Sequence, residues 1–274
     1  MATDQKEITG LTMTMRLENV DFTVNSQQLV KNLCLSVQPG ELSVIIGPNG
    51  AGKSTALALL AGDLPPTAGK VYFDQTQLKD TNPLRLARKR AVLPQLSHSN
   101  FAFTALDIVL MGRIPHEEAP ENKTALRIAQ SVMGETDTRR LANQDISTLS
   151  GGERQRVNLA RVLAQVWSDD HCLSSPKFLL LDEPISALDP KHQVNILTLL
   201  RSYADRGYGV MCVLHDMAMA AMFADKIHIM NAGECVQAGS PETVMTADIL
   251  SNVWQVPFAI QKIGNKTQPV MVIH

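Results

Sequence analysis

The segment Gly47-Pro-Asn-Gly-Ala-Gly-Lys53-Ser54 limits what this chain can fold into more than any other stretch. It fits G-x-x-x-x-G-K-[ST], follows the apolar run Leu42-Ser-Val-Ile-Ile46 and precedes Ala56-Leu-Ala-Leu-Leu-Ala-Gly62, which has helical spacing. A strand, a glycine-rich loop and a helix opening at Lys53 together aim backbone N–H groups at phosphate oxygens. Gly47, Pro48, Asn49, Gly50, Ala51, Gly52, Lys53, Ser54 and Thr55 are therefore the expected phosphate contacts. Lys53 would reach the β- and γ-phosphates, and the Ser54 hydroxyl would ligate Mg2+. The site is expected to hold a nucleoside triphosphate.

Hydrolysis needs a second half. Phe178-Leu-Leu-Leu181 ends in Asp182-Glu183, and an acid at the end of a buried parallel strand faces the crevice where such sheets bind ligands. Asp182 is the natural Mg2+ partner, and Glu183 is placed to polarise an attacking water. Runs at 15–24, 70–74, 90–94, 177–182, 209–214 and 226–230 read as strands; those at 178–181 and 210–214 are apolar throughout, as in a sheet covered on both faces. Helical patterns occupy about 104–112, 121–134, 151–167, 190–206 and 216–223. The chain of 274 residues, 45% hydrophobic, can bury one large core. The expected fold is α/β: a P-loop NTPase (RecA-like) core over about 15–95 and 170–240, with an N-terminal antiparallel β subdomain. A helical subdomain is inserted at about 96–169 and about 241–274 form a C-terminal extension; residues 231–274 read as a mixed tail in which a turn, Asn231-Ala-Gly-Glu234, precedes a short strand.

Charge and cysteines narrow the setting. A net charge of −2 gives no field pulling the chain onto nucleic acid, and Arg85, Arg88, Lys89 and Arg90 read as a solvated face. Cys34, Cys172, Cys212 and Cys235 form no CxxC pair, so reduced thiols in a cytosolic compartment are expected. Cys212-x-x-His215 has no second pair to complete a metal site. The start MATDQKEITG has no apolar signal region, and no apolar run approaches the ~20 residues of a membrane span.

Leu149-Ser150-Gly151-Gly152-Glu153, followed by Arg154-Gln-Arg-Val157, resembles the signature of ATP-binding cassette (ABC) ATPases. Other motifs of that family occur in order, and the resemblance covers about residues 15–245. It implies that the nucleotide is ATP with Mg2+. Phe22 stands where the family usually has an adenine-stacking tyrosine, and a phenyl ring would keep that stacking. Gln95 matches the Q-loop glutamine, a ligand for Mg2+ and a sensor of the γ-phosphate. Ser186-Ala-Leu-Asp189 matches the D-loop, which makes Asp189 a nucleotide contact, and His215 matches the switch histidine. The implied catalytic set is Lys53, Gln95, Glu183 and His215; the implied metal ligands are Ser54, Gln95 and Asp182. Glu153 replaces the usual glutamine. The family also implies a head-to-tail homodimer, in which each ATP meets one chain's P-loop and the Ser150, Gly151 and Gly152 of the other.

A lone cassette resembles the detachable ATPase subunit of a bacterial importer, peripheral on the cytoplasmic face of the inner membrane. Leu86–Gln95 and Phe103–Arg113 are similar to the group serving siderophores, cobalamin and heme; Leu159–Trp167, the insertion 168–177 and the following FLLLDEPISALD resemble its hemin-import members. That resemblance implies two copies of a transmembrane permease as direct partners and a periplasmic heme-binding protein as an indirect one. A repair or translation cassette would usually carry a coiled-coil insertion or a second cassette. A P-loop small-molecule kinase would lack the signature, the D-loop and the switch histidine.

Overall fold

The computed structural model describes residues 13–95, 103–116, 122–169, 175–263 and 266–272. Parts of several expectations lie outside the described residues: the start MATDQKEITG, the stretch 96–102 after Gln95, residue 121 of the 121–134 helix, 170–174 of the insertion with Cys172, and 264–265 and 273–274 of the extension.

Two sheets frame the molecule. Strands β1 (Met15–Val24) and β2 (Gln27–Val37) form a hairpin whose turn residues Asn25 and Ser26 have φ of 48° and 65°, the left-handed conformation that tight hairpins need. With β4 (Ala68–Phe73) and β5 (Thr76–Gln77) they make an antiparallel sheet in the order β2-β1-β4-β5. The second sheet contains β3 (Leu42–Ile46), β6 (Arg90–Leu93), β7 (Phe178–Asp182), β8 (Gly209–Val213), β9 (Lys226–Asn231) and β10 (Glu234–Gly239), in the order β10-β9-β3-β8-β7-β6. All its pairings are parallel except that of β10 with β9. Every residue of β3, β7 and β8 is buried, because helices cover both faces, and this is why those strands are apolar without alternation.

Helix α1 (Lys53–Ala61) fills the space between the sheets, touching β7 and β8 on one side and β1 and β2 on the other. Phe73 meets Phe178 edge-on there, with ring centroids 5.9 Å apart. A short helix, α2 (Pro83–Ala87), precedes β6. On the opposite face, α3 (Ala105–Met111), α4 (Lys123–Glu135) and α5 (Gly151–Gln165) pack on one another, and α6 (Pro190–Asp205) follows β7. These helices have no core of their own. Val109, Ile128, Val132 and Leu163 belong to the same buried cluster as Leu179, Leu181 and Val210 of the sheet, so the inserted helices share its core.

The expected turn after Asn231 leads into the short strand β10, and further elements follow it. They are α8 (Pro241–Val244), α9 (Ala247–Trp254) and a hairpin of β11 (Phe258–Ile263) with β12 (Lys266–Met271); β12 and α8 pack on α7 (Met217–Phe223), and α9 packs on β11. No helix among the described residues is long and apolar enough to cross a membrane.

Candidate nucleotide site

The P-loop conformation is set by backbone crowding. A Cβ on Gly47 would lie 2.2 Å from the Met230 carbonyl oxygen; one on Gly52, at φ +91°, would lie 2.6 Å from that of Leu29. Only glycine fits either position. Gly52 begins α1 in the left-handed region, and no side chain caps the helix. By contrast Asn82, Thr104, Asn122, Ser150, Asp189, Asp216 and Thr246 each cap their helices by accepting a backbone N–H. The first turn of α1 also carries no acid. Its orphan N–H groups and dipole are left for an outside anion.

Lys53, 6% exposed, donates from Nζ to the carbonyls of Gly47 (2.9 Å) and Pro48 (2.8 Å), which fold it back along the loop. Burial lowers its pKa, opposed by the charges of Glu183 and Asp182. Asp182 ends β7 at 8% exposure. Burial foremost raises its pKa, with the Glu183 charge adding to that, while a hydrogen bond from Ser54 and the charges of Lys53 and His215 work the other way. Its Oδ1 is buried without a hydrogen-bond partner. A buried carboxylate oxygen with no partner, next to a serine hydroxyl, is a donor set suited to a hard divalent cation such as Mg2+. Gln95 joins Gln155, Asp182, Glu183 and Ser186 in lining a cavity of about 110 Å3, roomy enough for water. The Glu183 Oε1 lies 2.5 Å from His215 Nε2, so these two residues, 32 positions apart, meet in one constellation. Glu183 has φ +50°, an unusual conformation for a residue with a side chain. Cys212 is fully buried and His215 side-chain exposure is 45%, so the two do not form a metal pair.

The signature lies elsewhere. Ser150, Gly151 and Gly152 line a separate recess with Arg140, Glu153, Arg156, Ala187, Leu188, Asp189 and His192. Ser150 and Glu153 form a reciprocal capping box: the Ser150 N–H donates to Glu153 Oε2 at 3.1 Å, and the Glu153 N–H donates to the Ser150 hydroxyl at 3.3 Å. Arg140 holds the other Glu153 oxygen at 2.7 Å. Glu153 is thereby turned onto its own helix end, with its pKa lowered first by Ser150 and then by Arg140. Asp189 caps α6, accepting from the His192 N–H at 2.9 Å and meeting His192 Nδ1 at 2.8 Å.

A model of the ABC transporter family matches residues 30–186 of this chain. The chain belongs to the ABC transporter family. It is 43% identical over 249 residues to the hemin import ATP-binding protein HmuV of Hahella chejuensis, covering 91% of this chain and 95% of that one. It is 44% identical over 234 residues to the protein of the same name from Gloeobacter violaceus, covering 85% and 84%. Among solved structures, an ABC transporter described as metal-chelate type, in an inward-facing conformation, superposes with a TM-score of 0.79 at 28% identity, covering 96% of this chain and 98% of that one. A dimeric bacterial ABC transporter cassette superposes at 0.72 with 28% identity, covering 83% and 98%.

Phe22, expected to stack on the adenine, is 8% exposed and belongs to the buried cluster that includes Val20, Val30, Leu57 and Leu60. Leu17 and Phe22, five residues apart, are both buried because the register of β1 shifts between them, next to Asn19 at φ +49°, while Val24, at the strand end, is 41% exposed. Sequence reasoning also passed over Gln155 and Arg140. Gln155 stands at helical spacing from Leu159, Val162 and Leu163, and a polar residue on that apolar stripe was the available signal; Arg140 had none, because its partner Glu153 is distant in sequence.

Proposed function

We propose that this chain is the ATP-hydrolysing subunit of a bacterial importer that drives heme uptake through a membrane permease. The convergence of Lys53, Ser54, Asp182, Glu183 and His215 on one uncapped helix N-terminus carries the ATPase reading. The names of relatives above 40% identity support heme as cargo. The backbone of residues 47–55 and Lys53 would hold the phosphates. Ser54, Gln95 and Asp182 would hold Mg2+, which neutralises charge on the transferring phosphoryl group. Glu183 takes a proton from the attacking water, and His215 fixes the direction of its carboxylate.

The signature recess presents Arg140 and Arg156 beside Gly151 and Gly152 but lacks the P-loop lysine, which suits a head-to-tail pair of chains in which Ser150, Gly151 and Gly152 close over the partner's ATP. Residues 96–169 would carry the permease contacts and 15–95 with 170–240 the catalytic core, with 241–274 an extension. Two permease copies, a periplasmic heme-binding protein acting through them, and a peripheral position on the cytoplasmic face of the inner membrane complete the assembly. No nucleic acid is involved.

Growth tests the cargo. In the bacterium encoding it, loss of this chain should abolish growth on hemin as sole iron source, restored by the wild type and not by Lys53→Ala. Loss of growth on a ferric siderophore, or of cobalamin uptake, with hemin use intact would reassign the cargo to that compound.

A further inference from the structure

Gln155 lies on the second turn of α5 and is 3% exposed, although its amide must find partners once it leaves water. Both ends of that amide cross to the segment after β7. Nε2 donates to the Glu183 carbonyl at 2.6 Å, and Oε1 accepts from the Ala187 N–H at 3.1 Å. The orientation is forced, since a flipped amide would set an NH2 group against an N–H. Between these two anchors the chain turns through Pro184, Ile185 and Ser186, and it enters the turn at Glu183 with φ +50°. Such a conformation persists only where surrounding bonds over-determine it. The Glu183 carbonyl also accepts from the Ser186 N–H at 3.3 Å and hydroxyl at 3.2 Å, so the Gln155 bond is the shortest of the three. The seam is tight beside it: a Cβ on Gly152 would lie 2.9 Å from the Ala187 carbonyl oxygen.

We propose that Gln155 is a positioning residue for hydrolysis: from the signature helix it clamps the turn that carries Glu183, and so sets where the Glu183 carboxylate points. The proposal rests on Glu183 being the group that activates water. It gives the signature helix, whose first residues face the recess offered to a partner chain, a direct bond to the catalytic turn of its own chain. Both hydrogen bonds of the Gln155 amide go to the backbone of Glu183 and Ala187, so the clamp acts on the chemical step and leaves nucleotide affinity alone.

The test is a double-mutant cycle on the full-length chain, with Gln155→Leu, Glu183→Gln and the two combined. Leucine keeps the buried volume and removes both hydrogen bonds. ATP turnover and KM are measured along with thermal unfolding and ATP Kd. Gln155→Leu should lower kcat about 10- to 100-fold, the scale for a small misplacement of a catalytic group, with KM within about two-fold of wild type. Added to Glu183→Gln it should slow turnover no further, because its effect passes through Glu183. Should Gln155→Leu fail to fold, Gln155→Glu carries the same cycle: it keeps the acceptor for Ala187 and loses the donor to Glu183. Wild-type kcat, a loss carried in KM, or additive losses in the double variant would each overturn the proposal. Glu183→Gln hydrolysing ATP at the wild-type rate would instead overturn Glu183 as the base, and the proposal with it.

Discussion

Replacing Phe22 with alanine separates two roles that predict opposite outcomes. The ring is 8% exposed and lies among Val20, Val30, Leu57 and Leu60 between the small sheet and α1. Truncating a buried phenylalanine costs about 3–5 kcal/mol, from lost transfer energy and the cavity left behind. Set against a total of about 5–15 kcal/mol, that is a large share of the stability of such a domain. In urea, with a slope of about 2 kcal/mol per molar, the midpoint should fall by roughly 1.5–2.5 M. Trp167 and Trp254 supply the fluorescence signal for the titration. Phe22→Leu, which nearly conserves volume, should cost less than about 1.5 kcal/mol. ATP Kd, measured on protein that is still folded, should stay within about three-fold of wild type. An adenine-stacking ring behaves otherwise: its loss costs about 1–3 kcal/mol of binding, a Kd raised roughly 5- to 100-fold. Unfolding midpoints within about 0.5 M of wild type together with such a rise in Kd would refute the buried role.

Three further outcomes follow from the same geometry. His228 is 2% exposed on β9, and burial, aided by Lys226, lowers its pKa from 6.5 to about 4. The unfolded chain therefore binds a proton that the folded one refuses, so stability present above pH 6.5 is lost as pH falls toward 4, by about 3 kcal/mol; His228→Gln should lack this component, seen as a flatter dependence of urea stability on pH, and an unchanged slope would refute it. Mixing Lys53→Ala chains with Gly151→Asp chains, each inactive alone, should create heterodimers with one whole site that occlude up to one ATP per dimer, and a verified heterodimer that occludes none would refute the shared site. Gly151 is the better position than Gly152, because its Cβ would meet only the Ala187 Cβ at 3.9 Å, whereas one on Gly152 would press on the Ala187 carbonyl at 2.9 Å. Ile114 is 68% exposed beyond α3; Ile114→Asp should spare ATPase activity of the isolated chain yet impair transport in the assembled complex, and equal losses in both assays would make this surface merely structural.

Local pattern carried much of the architecture. Gly47 through Thr55 announced a phosphate loop, because the crowding at Gly47 and Gly52 admits no other residue and the required lysine and hydroxyl are adjacent in the chain. The all-apolar runs ending at Asp182 and beginning at Gly209 were legible as central strands, since burial on both faces leaves no polar position. The α5 helix start was equally plain, with Ser150 and Glu153 three residues apart. Contacts between distant segments were decided only by the tertiary structure. Phe22 and Val24 sit two residues apart on one strand, and whether each meets α1 or solvent depends on where the hairpin leaves the core. The inserted helices looked like a unit in the sequence, yet Val109 and Leu163 share one core with Leu179 and Leu181. The meeting of Gln155 with Glu183 and of Glu183 with His215, and the separation of the signature recess from the P-loop, have no local signature. A sequence specifies short-range periodicity and chemistry, but the direction of a side chain across 30 residues of intervening chain is fixed only when the elements pack and their polar groups must find partners.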